Sequence, residues 1–247
     1  MIKLQRPPKP MELTNDLQKQ LTDEFKLTGK SVWNVEFIKL ALLSLSHNKC
    51  CFCESCIVEE SKYIEVEHFY PKSKYPDLVM EWDNLLPVCK KCNATKSAHD
   101  TKIEPIIDPT KDDPKRHLKL WNYRIKGVDD LGAMTVSVLN LNDQDRLVQK
   151  RFDIGNAVLT RIEGLNALLD EHPVEGRVNT KTKNRVVNGI KDLFQEGLPT
   201  SVYSATVATI MLTDNEFDTL KKKLILLNFW DDELIELEKS VQMVSLG

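Results

Sequence analysis

KCCFCESC (residues 49–56), EVEHFYPKSKYP (65–76) and NLLPVCKKCNATK (84–96) are three pieces of one stretch, and the reading of the whole chain turns on it. Two Cys-x-x-Cys pairs bracket a Glu-His dipeptide and two asparagines. Cys50-x-x-Cys53 and Cys89-x-x-Cys92, separated by 35 residues, put four thiolates into two tight turns, the donor set of a closed tetrahedral zinc site. Such a site has no open coordination position, so the zinc it implies is structural. Cys53-x-x-Cys56 is an overlapping alternative for the first pair. Cys51 and Cys56 otherwise read as small buried or spectator thiols. All six cysteines fall within 43 residues, which in a reducing compartment points to metal ligation rather than disulfides.

Between the pairs, Tyr63 to Tyr70 alternates with period two. Ile64, Val66 and His68 lie on one face, Glu65, Glu67 and Phe69 on the other, as in a strand with His68 near its end. Leu85-Leu86-Pro87-Val88 reads as a short return strand, closed by the second cysteine pair. Asn93 to His99 reads as the opening of a helix. The polar residues held in this small unit are the types that phosphodiester hydrolysis needs: a base, hard oxygen ligands for a divalent cation, and cations for phosphate. His68 suits the base, and Glu67 and Asn93 suit a magnesium or manganese ion through oxygen. Lys96, one turn beyond Asn93, suits a phosphate, and Lys72, Lys74 and Lys91 surround the site. The bland alternatives are a four-cysteine finger that binds nucleic acid or protein without cutting, and lysines that form only a solvated face.

Working outward, Arg6-Pro7-Pro8-Lys9-Pro10 is an extended arm, since three prolines remove backbone donors. Leu13, Leu17 and Leu21, then Phe37, Ile38, Ala41, Leu42 and Leu45, mark two short helices before the finger. Residues 101–117 read as an ordered loop, and 118–139 as a hairpin turning at Gly127–Gly132. Beyond Asn142 the pattern is helical throughout. Val158, Ile162, Leu165 and Leu169 form one stripe; Val186, Ile190, Leu193 and Phe194 form another, with Gly197 placed to end it. Thr213-x-x-Glu216 is a capping-box pattern. The expected fold is α+β and mostly α, a zinc-tied ββα finger embedded in a helical protein. Its segments are residues 1–48 packing on the finger, 49–117 the finger, and 118–247 a hairpin with a helical C-terminal region.

The net charge of −3 excludes a protein that is basic overall, so polyanion contact must be local. Residues 86–126 supply it, with ten Lys/Arg against five Asp/Glu, whereas residues 213–239 carry four Lys against eight acids. No apolar run is long enough to span a bilayer and the first residues lack a signal-peptide core, which points to a cytoplasmic protein. No phosphate-binding Gly-x-x-x-x-Gly-Lys-Ser/Thr loop occurs.

The series Cys-x-x-Cys, Glu-His-Phe-x-Pro-Lys-Ser, Trp-x-Asn-Leu and Cys-x-x-Cys-Asn-x-x-Lys resembles the HNH (ββα-metal) endonuclease finger over residues 49–100. It is similar in particular to the HNH nucleases of bacterial anti-phage systems, the PtuB nucleases of Septu and their retron-associated relatives. That resemblance implies an endonuclease acting on nucleic acid; DNA is the expected target, and the sequence does not separate it from RNA. It implies His68 as general base, Glu67 and Asn93 as ligands of the catalytic cation, and Asn84 as the asparagine that orients the loop and the histidine backbone. It favours Cys50 and Cys53 as the first zinc pair. The chain departs from the family in having Asn93 where the third letter is often His, and Glu67 where an Asp is usual. His99 is a conceivable replacement ligand. The resemblance further implies a PtuA-like ATPase partner, with the helical region after residue 140 as its docking surface.

Overall fold

A computed structural model of the protein describes residues 1–59, 63–171 and 178–247; His172, which by sequence suits a surface or structural position, lies outside them. Among the described residues the chain is mostly helical, with two small two-stranded sheets. It divides into two compact units: Met1–Leu118 with Lys126–Leu141, and Lys119–Ile125 with Asn142–Gly247.

In the first unit the extended N-terminal arm is stitched to the finger. Arg6 Nη1 and Nη2 donate to the carbonyls of Trp82 and Leu85 at 2.8 and 3.0 Å, and Trp82 Nε1 donates to the Pro7 carbonyl at 3.1 Å. Helix α1 (Asn15–Thr28) starts where the Thr14 hydroxyl accepts from Leu17 N, and stops at Gly29, whose φ of 69° suits a residue without Cβ. Helix α2 (Glu36–Leu45) buries Ile38, Leu42 and Leu45 along one face and packs on the second strand of the finger.

The finger is strand β1 (Glu65–His68) paired antiparallel with β2 (Leu85–Val88), in a register running from Glu65 opposite Val88 to His68 opposite Leu85, followed by helix α3 (Lys90–Lys96). Both strands are shorter or equal to their expected spans. Helix α3, however, starts at Lys90 and ends before Ser97, whose φ is 48°. The expected helix over Asn93–His99 is thus displaced toward the second cysteine pair, because Cys89 itself is the N-cap, its sulfur accepting from Cys92 N.

The expected hairpin over 118–139 is corrected in two ways. Strands β3 (Leu118–Trp121) and β4 (Arg124–Gly127) turn at Asn122 and Tyr123, both with positive φ, a two-residue turn whose twist matches the strands. Residues beyond it form helix α4 (Asp130–Val138), capped by Asp129, whose carboxylate accepts from Gly132 N at 2.8 Å. The glycines serve close packing instead of a turn: a Cβ on Gly132 would meet the His117 carbonyl at 1.9 Å.

The second unit is built from α5 (Gln149–Asp170), α6 (Thr180–Gly197), α7 (Ser204–Thr213), α8 (Asn215–Leu226) and α9 (Asp232–Gln242). Helix α7, small and apolar on every side, buries Ser204 through Thr209 and Met211, and packs against the other four. The capping residue of α8 is Asp214, accepting from Phe217 N, one position after the expected Thr213, which ends α7. Gly197 is the last residue of α6 and lies under Val241, so it is a packing glycine and not a left-handed terminator. No helix among the described residues is long and apolar enough to cross a membrane.

Candidate active site and cysteine cluster

The sulfurs of Cys50, Cys53, Cys89 and Cys92 all lie within 4.8 Å of one another, and none is in a disulfide. Cys53 Sγ and Cys89 Sγ are 3.8 Å apart, the separation of two vertices of a tetrahedron with Zn–S bonds of about 2.3 Å. The donor set therefore fits zinc, and Cys50 with Cys53 is the first pair; Cys51 and Cys56 stand outside the cluster. The chain brings the sulfurs together through a tight knuckle. Cys50 N donates to Ser55 O at 2.8 Å, Glu54 N donates back to Cys50 O, and Glu54 takes a positive φ of 62°. Cys51 N donates to Pro87 O, which ties the knuckle to β2. Within the cluster, hydrogen bonding from Cys50 pushes the thiols of Cys89 and Cys53 down, Cys53 to about 6, while burial pushes Cys50 and Cys51 up. Thiolate charge is thus present near neutrality, the form that a soft divalent cation takes.

His68 is 3% exposed. Its Nε2 lies 3.0 Å from the Val79 carbonyl, which can only accept, so Nε2 carries the hydrogen and Nδ1 keeps the lone pair. The Trp33 ring, from the segment between α1 and α2, packs edge-to-face on the imidazole with centroids 4.6 Å apart. Burial and then the nearby Lys72 lower the His68 pKa to about 3, which keeps the ring neutral at ordinary pH. In an unfolded chain the same ring titrates near 6.5. As pH falls below that value the unfolded state takes up a proton that the folded state refuses, so stability drops until the folded pKa is reached. The expected loss from this group between pH 7 and pH 5 is about 2 kcal/mol. Denaturant titrations at the two pH values should show it as a larger drop for wild type than for His68→Asn; equal drops would contradict a neutral buried ring.

Glu67 and Lys96 form a buried ion pair, Lys96 Nζ lying 2.6 Å from Glu67 Oε1, and the same ammonium donates to the His68 carbonyl at 3.0 Å. Lys96, expected to face a phosphate, is 1% exposed, so in this structure its charge is spent inside the finger. Burial raises the Glu67 pKa, and Lys96 opposes that rise. With Oε1 held by the ammonium, Oε2 is the carboxylate oxygen left for a cation. Asn93 sits on α3 with Nδ2 3.5 Å from Glu65 Oε2, which points Oδ1 away from that acid. Glu65 was legible as a face-mate of Glu67 by the period of two, but its nearness to Asn93 was not.

Asn84 is a hub: Oδ1 accepts from Tyr70 N at 2.7 Å, and Nδ2 donates to the carbonyls of Tyr70 and Leu78 at 3.2 and 2.9 Å. Phe69 N donates to the Asn84 carbonyl. The loop leaving His68 is therefore fixed by this one side chain. Lys72, Lys74 and Lys91 are exposed; Lys72 Nζ lies 5.0 Å from the centre of the Trp33 ring, and Lys74 pairs with Asp100 at 3.3 Å. His99 lies past the end of α3, where its Nε2 is 2.8 Å from the Glu104 carbonyl. Trp33 and the Val79 carbonyl were not foreseen as neighbours of His68, because nothing local in sequence places them there.

A two-stranded antiparallel sheet followed by a short helix, with histidine at the strand end and a four-cysteine clamp, defines the HNH class; residues 53–99 match the HNH endonuclease family. The chain is 46% identical to the Septu protein PtuB of Bacillus thuringiensis over 233 residues, 94% of this chain and 90% of that protein. It is 25% identical to the Septu protein PtuB of Bacillus mycoides (strain KBAB4), over 77% of each chain. The chain belongs to the PtuB family of HNH proteins. No solved structure matches it.

Proposed function

We propose that the chain is a divalent-metal-dependent endonuclease of DNA that acts in anti-phage defence. The observation that carries the reading is the His68 imidazole, neutral, with Nε2–H fixed on the Val79 carbonyl and Nδ1 left as the base, on a strand whose preceding Glu67 is tied to helix α3 through Lys96. His68 Nδ1 takes the proton of the attacking water. Glu67 Oε2 and Asn93 Oδ1 would hold magnesium or manganese, and Asn84 keeps the loop and the histidine backbone in place. The cation, when bound, neutralises charge on the scissile phosphate and the leaving oxygen. Lys72, Lys74 and Lys91 contact the phosphate backbone. Zinc held by Cys50, Cys53, Cys89 and Cys92 keeps the strands and helix together.

The name of the relatives, Septu protein PtuB, supports placing the chain in a Septu-type system. We read an ATPase of the PtuA type as its partner, with the second unit as the docking surface. Retention of that ATPase by a chain ending near residue 141 would remove the docking assignment.

The competing reading is a zinc finger that binds without cutting, and the burial of His68 is the observation in its favour. Plasmid cleavage with added magnesium or manganese and the ATPase separates the two. His68→Ala is expected to slow nicking about 10²- to 10⁴-fold with fold and zinc retained, the range of a lost general base. Equal rates would sink the His68 assignment; no cleavage by wild type under any metal would leave the binding reading.

A further inference from the structure

Directly after His68 the chain turns at Pro71 and presents Tyr70, Lys72, Lys74 and Tyr75. The Tyr70 and Tyr75 rings meet edge-to-face with centroids 6.1 Å apart. Lys102 Nζ stands over both, 4.2 Å from the centre of Tyr75 and 5.0 Å from that of Tyr70, and Lys111 Nζ stands 5.7 Å from Tyr70. Two acids in this region, Asp100 and Asp108, are turned inward, while Asp77 and Glu104 stay exposed. Asp100, 7% exposed, accepts from the Tyr75 hydroxyl at 3.0 and 3.1 Å and from Lys102 N and pairs with Lys74 at 3.3 Å; Asp108, 3% exposed, accepts from Thr110 and pairs with Lys111 at 3.2 Å. The frame is stiff: Asn84 holds Tyr70 from one side, and the Thr101 hydroxyl donates to the Phe69 carbonyl at 2.7 Å from the other.

A surface cation over a ring is ordinary and weak on its own. Here two adjacent rings and the exposed lysines 72, 74, 102 and 111 gather on the loops after the proposed base; Lys74 and Lys111 pair with Asp100 and Asp108, which leaves the charge of Lys72 and Lys102 for a polyanion. Aromatic faces take up bases of any identity, but only bases whose own faces are free, and a duplex keeps its base faces stacked. Lysines set around such rings neutralise the phosphates between successive bases. We infer that Tyr70 and Tyr75, with Lys72 and Lys102, form a cradle for an unpaired stretch of polynucleotide leading to His68. The inference rests on the nuclease reading and narrows its substrate to strands that are single or locally opened.

The test is fluorescence anisotropy on the full zinc-loaded chain without magnesium or manganese. The probes are labelled oligothymidylate and oligouridylate of about 15 nucleotides, within the range of known single-strand sites, and a duplex of the same length. Wild type is expected to bind the single strands more tightly than the duplex. The stronger of the two strands identifies the sugar, and either one supports the cradle. Tyr75→Leu should weaken single-strand binding about tenfold, and Tyr75→Phe, which keeps the ring, should stay within about twofold of wild type. Lys102→Gln should reduce the slope of log K against log salt by about 0.7. Duplex bound as tightly as single strand would overturn the cradle. So would Tyr75→Leu, folded and zinc-loaded, binding as wild type does while His68→Ala still loses cleavage; that pair of results leaves the nuclease reading standing. Wild type that neither binds nor cuts any strand removes both.

Discussion

Replacing Cys89 by serine is expected to empty the cysteine cluster and unfold the finger while leaving the second unit folded. Cys89 has two jobs: it is one of four sulfurs within 4.8 Å, and it is the N-cap of α3, accepting from Cys92 N. Structural zinc in isolated fingers contributes about 10–16 kcal/mol, as much as the entire stability of an ordinary domain. Removal of one ligand therefore takes away more than β1, β2 and α3 can supply from their own packing. Metal analysis should give about one zinc per wild-type chain, the count expected from one closed four-sulfur site, and almost none for Cys89→Ser. Circular dichroism should keep most of its helical signal, because α5 to α9 belong to a compact unit of their own. Glu67→Ala should retain zinc. A Cys89→Ser protein with full zinc and an unshifted thermal transition would refute the cluster's role.

Lys96→Met should be the most damaging substitution outside the cysteines. The Lys96 side chain is fully buried, and it is paired at 2.6 Å with a Glu67 side chain that is 5% exposed. Methionine matches the apolar stem but leaves the carboxylate without its cation, and breaking a buried pair from one side costs about 3–5 kcal/mol. The loss of the bond to the His68 carbonyl adds to it. Two further measurements separate this account from simple mispacking. The double variant Glu67→Gln, Lys96→Met should recover much of the loss, since no buried charge is left alone. Millimolar magnesium or manganese should stabilise Lys96→Met more than wild type, because a cation at Glu67 replaces the missing ammonium. A single variant as stable as wild type would show the pair to be incidental.

The cysteine spacing and the strand period made the finger legible, because ligand geometry and pleat are both local rules. Lys96 shows where they run out. Read from Asn93, it lay one turn along an outward face; read from the cysteines, Cys89, Cys92 and Lys96 fall at positions i, i+3 and i+7, a single face already committed to burial. The second reading was available in the sequence and decides the matter. Trp33 and Val79 were not available, since the contacts that bring them to His68 depend on how distant segments pack. In the C-terminal half, helix stripes held while boundaries moved by single residues, as at Asp214, where two neighbouring side chains compete for one cap. The hairpin turn at Asn122 and Tyr123 was missed because a tyrosine at positive φ gives no compositional signal.

Trp33 lies outside the residues 53–99 that match the HNH family, yet its ring is a wall of the pocket that holds His68. Arg6 and Pro7 likewise bond to the finger from the N-terminal arm. The finger is consequently not a portable cassette. Cut out at its family boundaries and grafted elsewhere, it would lose Cys50 from its sulfur set and expose its histidine to water, and the imidazole would return toward its ordinary titration range. A minimal version of the finger has to carry the residues from Met1 through Cys50 with it, to keep the sulfur set whole and the His68 ring uncharged.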